Sequence, residues 1–218
     1  MKKVYLSNDA HQALTSYLRE LGYAIEVVNH PGLTYHPVCT HPDIFMCQLG
    51  LWENHKLFPG NPNKIQPAYP ANVLYNAVCT NKFFIHNLKY TDPDLLTHAE
   101  KLIKVHVSQG YTRCCCLPAD DSSFITSDQG IAKALTDAGA EVLLIEKGHI
   151  VLPGFNYGFI GGCAGHLVID GNKTIIFNGN LSAHPDYHKI ANFIHERNID
   201  LIYFEDYPLT DIGSILTV

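Results

Sequence analysis

Residues 161–166, Gly-Gly-Cys-Ala-Gly-His, set a thiol and an imidazole three positions apart in a stretch that is otherwise almost bare backbone. Glycine is favoured where a turn needs unusual dihedrals or where backbone must come close to something. A thiolate is the reactive form of cysteine, and a nearby imidazolium or a turn with free N–H groups stabilises it. Cys163 is therefore the candidate nucleophile and His166 a candidate proton shuttle, against the plainer reading of a buried thiol in a tight turn. Of the remaining cysteines, Cys47 and Cys79 fall in apolar runs and read as small hydrophobes. Cys114, Cys115 and Cys116 continue a strand pattern, so at most one or two of them would see a site. Zinc at Cys163 and His166 would need two further ligands. His184 and His188 have the i, i+4 spacing, but they flank a helix start and read as surface groups, so no metal and no cofactor is expected.

Composition narrows the classes. The chain has 218 residues, 46% hydrophobic, with a formal net charge of −6, which suits one soluble domain spanning residues 1–218. Without a run of Lys and Arg to neutralise phosphates, a nucleic-acid partner is not expected; a cationic small molecule suits the acidity better. No stretch approaches the roughly 20 apolar residues of a membrane span. The opening MKKVYLSND turns polar after three apolar residues, unlike a signal peptide, and the seven cysteines are an odd number. Together these predict reduced thiols in a cytoplasmic protein.

The elements that must position such a site repeat along the chain. From Ser122 a short strand leads through a polar turn to an amphipathic helix with Ile131, Ala134, Leu135 and Ala138 on one face, a glycine stop at Gly139, and a second strand. The same order recurs from Lys2, from Asn81 and from Asn172, with helix starts marked by Asp92-Pro93 and by Ser182. A further strand begins at Asp43, where the helix has decayed into a Pro/Gly/Asn-rich loop over 59–70. Five units at a period of about 40 to 50 residues fill the chain. The last piece, DIGSILTV, is a strand without a helix, and it completes the first unit if the two ends meet. A doubly wound sheet also alternates strands and helices, but hairpins such as HLVIDGNKTIIFNG are foreign to it, and no GxGxxG or P-loop follows a strand.

This pattern resembles the pentein fold of the guanidino-group modifying enzymes, an α/β propeller of five ββαβ units around a pseudo-fivefold axis, here with the last unit shared between the N- and C-termini. AGHLVIDG from Ala164 is similar to the family's GGDVLVIG-type strand, with His166 in the aspartate's place. His41-Pro42-Asp43 is similar to its His-x-Asp motif, and Gly161-Gly162-Cys163 resembles its glycine-rich approach to a catalytic cysteine. The resemblance implies a channel lined by the residues that lead into each strand: Asp43, Asn76, Asp120 with Asp121, the Cys163–His166 stretch, and Asp211. Asp and Asn also favour turns before strands, which explains any one of these singly. The implied chemistry is attack by Cys163 on the central carbon of a guanidinium or amidinium held by carboxylates, with His166 or His41 moving the proton. The alternative is a non-catalytic binding protein that keeps the same ring.

Overall fold

The structure, a computed structural model, describes residues 2–52 and 55–218. Strand β1 (Lys3–Ser7) leads into helix α1 (Gln12–Glu20), whose first N–H groups are capped by His11 and whose Leu14 and Leu18 are buried. The chain returns as β2 (Ala24–Val28), parallel to β1 with Lys3 opposite Ala24. A helical turn α2 (Pro42–Phe45) then opens the hairpin of β3 (Met46–Leu49) and β4 (Lys56–Pro59). No helix follows this hairpin; the polar loop carries a short 3₁₀ turn, Pro62–Lys64.

The next three stretches share one order. β5 (Val78–Cys79) pairs antiparallel with β6 (Phe83–His86), and helix α3 (Pro93–Thr97), capped by the Asp92 carboxylate, carries the chain to β7 (Ile103–His106), parallel to β6. After the helical turn α4 (Thr112–Cys115), β8 (Cys116–Pro118) and β9 (Ser123–Thr126) pair antiparallel, and α5 (Gln129–Asp137) leads to β10 (Glu141–Leu144), parallel to β9. After a 3₁₀ turn over Gly161–Cys163, β11 (Ala164–Ile169) and β12 (Asn172–Phe177) form a hairpin, and α6 (Tyr187–His195) leads to β13 (Asp200–Ile202), parallel to β12. Asp170 and Gly171 both take positive φ at that hairpin's tip, as a two-residue turn requires. Finally β14 (Leu216–Thr217) pairs antiparallel with β1, setting Thr217 opposite Val4.

The fold is thus mixed α/β. The strands form four sheets rather than a closed barrel: β14-β1-β2, β10-β9-β8, β11-β12-β13 and the five-stranded β4-β3-β5-β6-β7. The expected order of strand, helix and parallel strand is present from Lys3, Phe83, Ser123 and Asn172. The hairpin partner that precedes three of these is short, two residues at β14 and β5 and three at β8. No helix is long and apolar enough to cross a membrane among the described residues.

The sheets meet through backbone rather than through side chains alone. Gly165 bridges Ile215, and a Cβ at 165 would lie 2.2 Å from the Ile215 carbonyl oxygen. A Cβ at Gly161 would lie 2.1 Å from the Arg113 carbonyl oxygen. Glycine here removes a side chain so that two segments can touch, which is the second of the two uses open to it in the 161–166 stretch. Gly165→Ala is expected to lower the unfolding free energy by about 1–3 kcal/mol, since a methyl group forced into packed backbone must displace it. Urea titration should show a lower midpoint at unchanged slope; an unchanged midpoint would mean that the two backbones do not approach so closely.

Candidate functional site

Five turns converge where the hairpins begin. The backbone N–H of Asp43 donates to Gly213 O, and those of Ile212 and Ser214 donate to Gly162 O. The Arg113 guanidinium donates from Nη1 to Gly161 O (2.8 Å) and from Nη2 to Ala164 O (3.1 Å). The Arg113 N–H donates to the Asn76 side-chain oxygen (2.8 Å). Residues far apart in the sequence are thereby gathered at one point.

At that point a thiol meets two carboxylates and an imidazole. The Cys114 thiol donates to Asp43 Oδ2 (3.0 Å), which also accepts from the Ser214 hydroxyl (2.7 Å), while Asn76 Nδ2 donates to Cys114 Sγ (3.4 Å). Asp211 accepts the N–H of Gly213 at Oδ1 and of Phe159 at Oδ2, both at 3.0 Å. His41 Nδ1 stands 3.9 Å from Asp211 Oδ1, too far for a hydrogen bond. His41 Nδ1 and Asp43 Oδ1 are buried without any partner. Buried polar atoms left unpaired are uncommon and ask for an explanation, and His41 lines a cavity.

The cavity measures about 320 Å³. His41, Cys114 and Asp211 line one end; Tyr35, Tyr111, Phe155, Tyr157 and Phe159 supply much of the rest. Tyr35 and Tyr111 hydrogen-bond through their hydroxyls, and Asn72 Nδ2 donates to Tyr111 (2.8 Å). Segment 150–160 is held against the site by the Asp211 N–H to Val151 O and the Val151 N–H to Leu209 O.

Burial sets the electrostatics. It pushes the Asp211 carboxyl from its ordinary 3.8 up to about 6, against the pull of its two N–H donors and of Arg113. Asp43 is likewise raised by burial, His41 is lowered by burial and so stays neutral near pH 7, and the Cys114 thiol is pushed well up by burial and by the charges of Asp43 and Asp211. Without a ligand the thiol is therefore protonated. His41, Cys114 and Asp211 also offer a nitrogen, a sulfur and an oxygen all within 4.8 Å of one another, a donor set that a zinc-type ion with an open position would accept.

The sequence candidates separate into two groups. His41, Asp43, Asn76 and Asp211 meet at the site, and Cys114 joins them in place of Cys163. Cys163 is wholly buried in an apolar cluster with Leu117, Ile160 and Ala164, and its thiol donates to Phe159 O (3.2 Å). Burial raises it well above an ordinary thiol, opposite to the lowering expected of an exposed nucleophile in a glycine-rich turn. Its neighbours explain the glycines: a Cβ at Gly162 would sit 1.9 Å from Asp211 Oδ1, so residue 162 is bare to admit that carboxylate. His166 lies on β11, packs edge-on against Trp52 at 4.8 Å and donates Nε2–H to Pro118 O (2.8 Å). Burial pushes it down to about 3, leaving a neutral structural imidazole away from the thiol.

Asp120 and Asp121 belong to the β8–β9 turn rather than the cavity. Asp121 accepts from the Asn81 N–H (2.9 Å), and Asp120 accepts from the Ser122 N–H (2.7 Å) and faces Arg197 Nε at 3.4 Å. The preference of Asp for turns accounts for both. His184, expected at the surface, is buried and accepts the Asp186 N–H at Nδ1, whereas His188 is exposed. Cys114 was masked by its neighbours. A run of three cysteines before an apolar segment reads as strand, but 112–115 forms a helical turn that aims residue 114 inward. The signal available was the parallel with His41-Pro42-Asp43, another short turn opening a hairpin.

The raised Asp211 carboxyl makes a stability prediction. A buried acid whose folded value lies above its unfolded one holds its proton more tightly in the native state, so stability falls as pH rises between the two values and is level above both. Relative to Asp211→Asn, the protein should lose about 3 kcal/mol between pH 4 and pH 6. Urea midpoints of both proteins across pH 3.5–8 would read this; parallel curves would show that residue 211 titrates normally.

No curated protein and no solved structure matches the chain. A family model described as "Family of unknown function (DUF6873)" matches residues 52–216, which takes in Cys114 and Asp211 and begins after His41 and Asp43. The match covers well over half of the 218 residues, and the chain therefore belongs to this family of unknown function, DUF6873.

Proposed function

We propose that the protein is a cysteine-dependent hydrolase or amidinotransferase acting on a guanidinium or amidinium compound, with Cys114 as its nucleophile. We further propose that its sheets form a pentein-like α/β propeller of five ββαβ units around a pseudo-fivefold axis, the unit of β3 and β4 having lost its helix. The repeated antiparallel-then-parallel strand order and the pairing of β14 with β1 support the ring. One observation carries the function: a thiol, an imidazole and a carboxylate, drawn from distant segments, line an aromatic-walled cavity together, with a second carboxylate, Asp43, hydrogen-bonded to the thiol.

The chemistry follows from the charges. A planar cation seated by Asp211 and the free Oδ1 of Asp43 receives the carboxylates it needs, and aromatic rings favour it further. Its positive charge offsets the two carboxylates that hold the thiol up, so binding promotes loss of the thiol proton to the neutral His41, whose ring nitrogen lies within 4.8 Å of the sulfur. The thiolate attacks the central carbon and forms a C–S bond. His41 relays a proton to the departing nitrogen, and the C–N bond breaks with loss of ammonia or an amine. Water, giving up a proton to the neighbouring base, adds to the resulting thiouronium carbon. Breaking the C–S bond then releases a urea-type product and returns the proton to sulfur. An amine in place of water gives the transferase outcome.

A second reading, a binding protein without chemistry, draws on the burial of the Cys114 thiol and its raised affinity for a proton. Chloroacetamidine and iodoacetamide separate the two, because only the first carries an amidinium. Brief substoichiometric labelling near pH 7.5, located by mass spectrometry, should place the amidine adduct on Cys114 ahead of the other six cysteines. Iodoacetamide should label that thiol more slowly, and Asp211→Asn should cut the chloroacetamidine rate at least about tenfold, the loss of about 1.4 kcal/mol of cation binding. Adducts scattered over Cys39 and Cys163, or none before denaturation, would favour the binding protein.

A further inference from the structure

The far end of the cavity carries a second piece of information about the ligand. Beyond His41, Cys114 and Asp211, its lining is the five aromatic residues with Val38, Leu152 and Asn156. Among the described residues that line it there is no Lys or Arg. Arg113 does not line it: it is buried, and its Nη1 and Nη2 donate to the carbonyls of Gly161 and Ala164. The neighbouring depression, which shares Tyr157 and Phe159, presents Asp128 and Glu146 against Lys147 alone.

An anionic tail in such a cavity would leave water without gaining a cationic partner, and it would face the carboxylates of the head end. An unpaired buried charge is strongly disfavoured. An alkyl tail meets apolar walls, and an ammonium tail meets aromatic rings, which attract cations. Resting on the guanidinium reading of the head end, we propose that the cavity selects guanidines without a carboxylate and rejects guanidino acids. The substrate class is then an alkylguanidine or an aminoalkylguanidine.

Three compounds with the same head and four further carbons test this by isothermal titration calorimetry on the full chain at pH 7.5: n-butylguanidine, agmatine and 4-guanidinobutanoate, ending in methyl, ammonium and carboxylate. The first two should bind at least tenfold more tightly than the third. Asn156 is exposed at the cavity rim, so an added cation there is tolerated. Asn156→Arg should raise the affinity for 4-guanidinobutanoate and narrow the gap at least threefold. Equal or tighter binding of the acid, with all three compounds weakened by Asp211→Asn, would overturn the tail assignment while leaving the guanidinium reading intact. No binding by any of the three would overturn both.

Discussion

Two buried carboxylates and one buried guanidinium set the terms for the centre of this molecule. Arg113 is the one buried Lys or Arg among the described residues, and it does not pair directly with either acid. Its donors hold carbonyls of the Gly161–Ala164 segment, while Asp43 and Asp211 are held by a hydroxyl, a thiol and two backbone N–H groups. Neutral donors solvate a carboxylate only in part, and the raised proton affinities of both acids follow. The centre is left with more negative charge than its single cation balances, and it faces a cavity of aromatic rings. In the proposed function, a bound cation balances that excess.

Keeping those charges close demands backbone contact. Gly162 admits the Asp211 carboxylate, Gly165 admits Ile215, and Gly213, at φ +69°, stands where a Cβ would meet His41 at 2.1 Å. The helices α1, α5 and α6 lie outside this centre and anchor the strands by ordinary apolar stripes, such as Leu14 and Leu18 in α1 or Ile131 and Leu135 in α5. Precision at the centre therefore rests on glycine and on short turns, while the outer layer tolerates any well-packed amphipathic helix.

That division explains what could be read from sequence. Long periodic segments announced themselves: α5 with its Gly139 stop, the Asp92 cap of α3, the Asp170-Gly171 hairpin and the return of the last strand to the first. His41, Asp43, Asn76 and Asp211 were legible because a polar residue before each strand is conspicuous in apolar surroundings. Cys114 was not, because a four-residue helical turn followed by a three-residue strand is too short to show a period. Four of the five repeat starts, at Lys2, Asn81, Ser122 and Asn172, fall on the second member of a strand pair, β1, β6, β9 and β12. Counted from there, Asp120 and Asp121 lead into a strand and Cys114 does not.

The hydrogen bond from Ser214 to Asp43 spans 171 positions of sequence. Contacts of such separation form late, because the loop they close must be ordered before it is rewarded. Cys114 meets Asp43 without the last strand, but Asp211 and Ser214 reach them only where β14 returns to β1, so the complete centre needs both ends of the chain. A chain that has not closed lacks Asp211 and Ser214 at this centre.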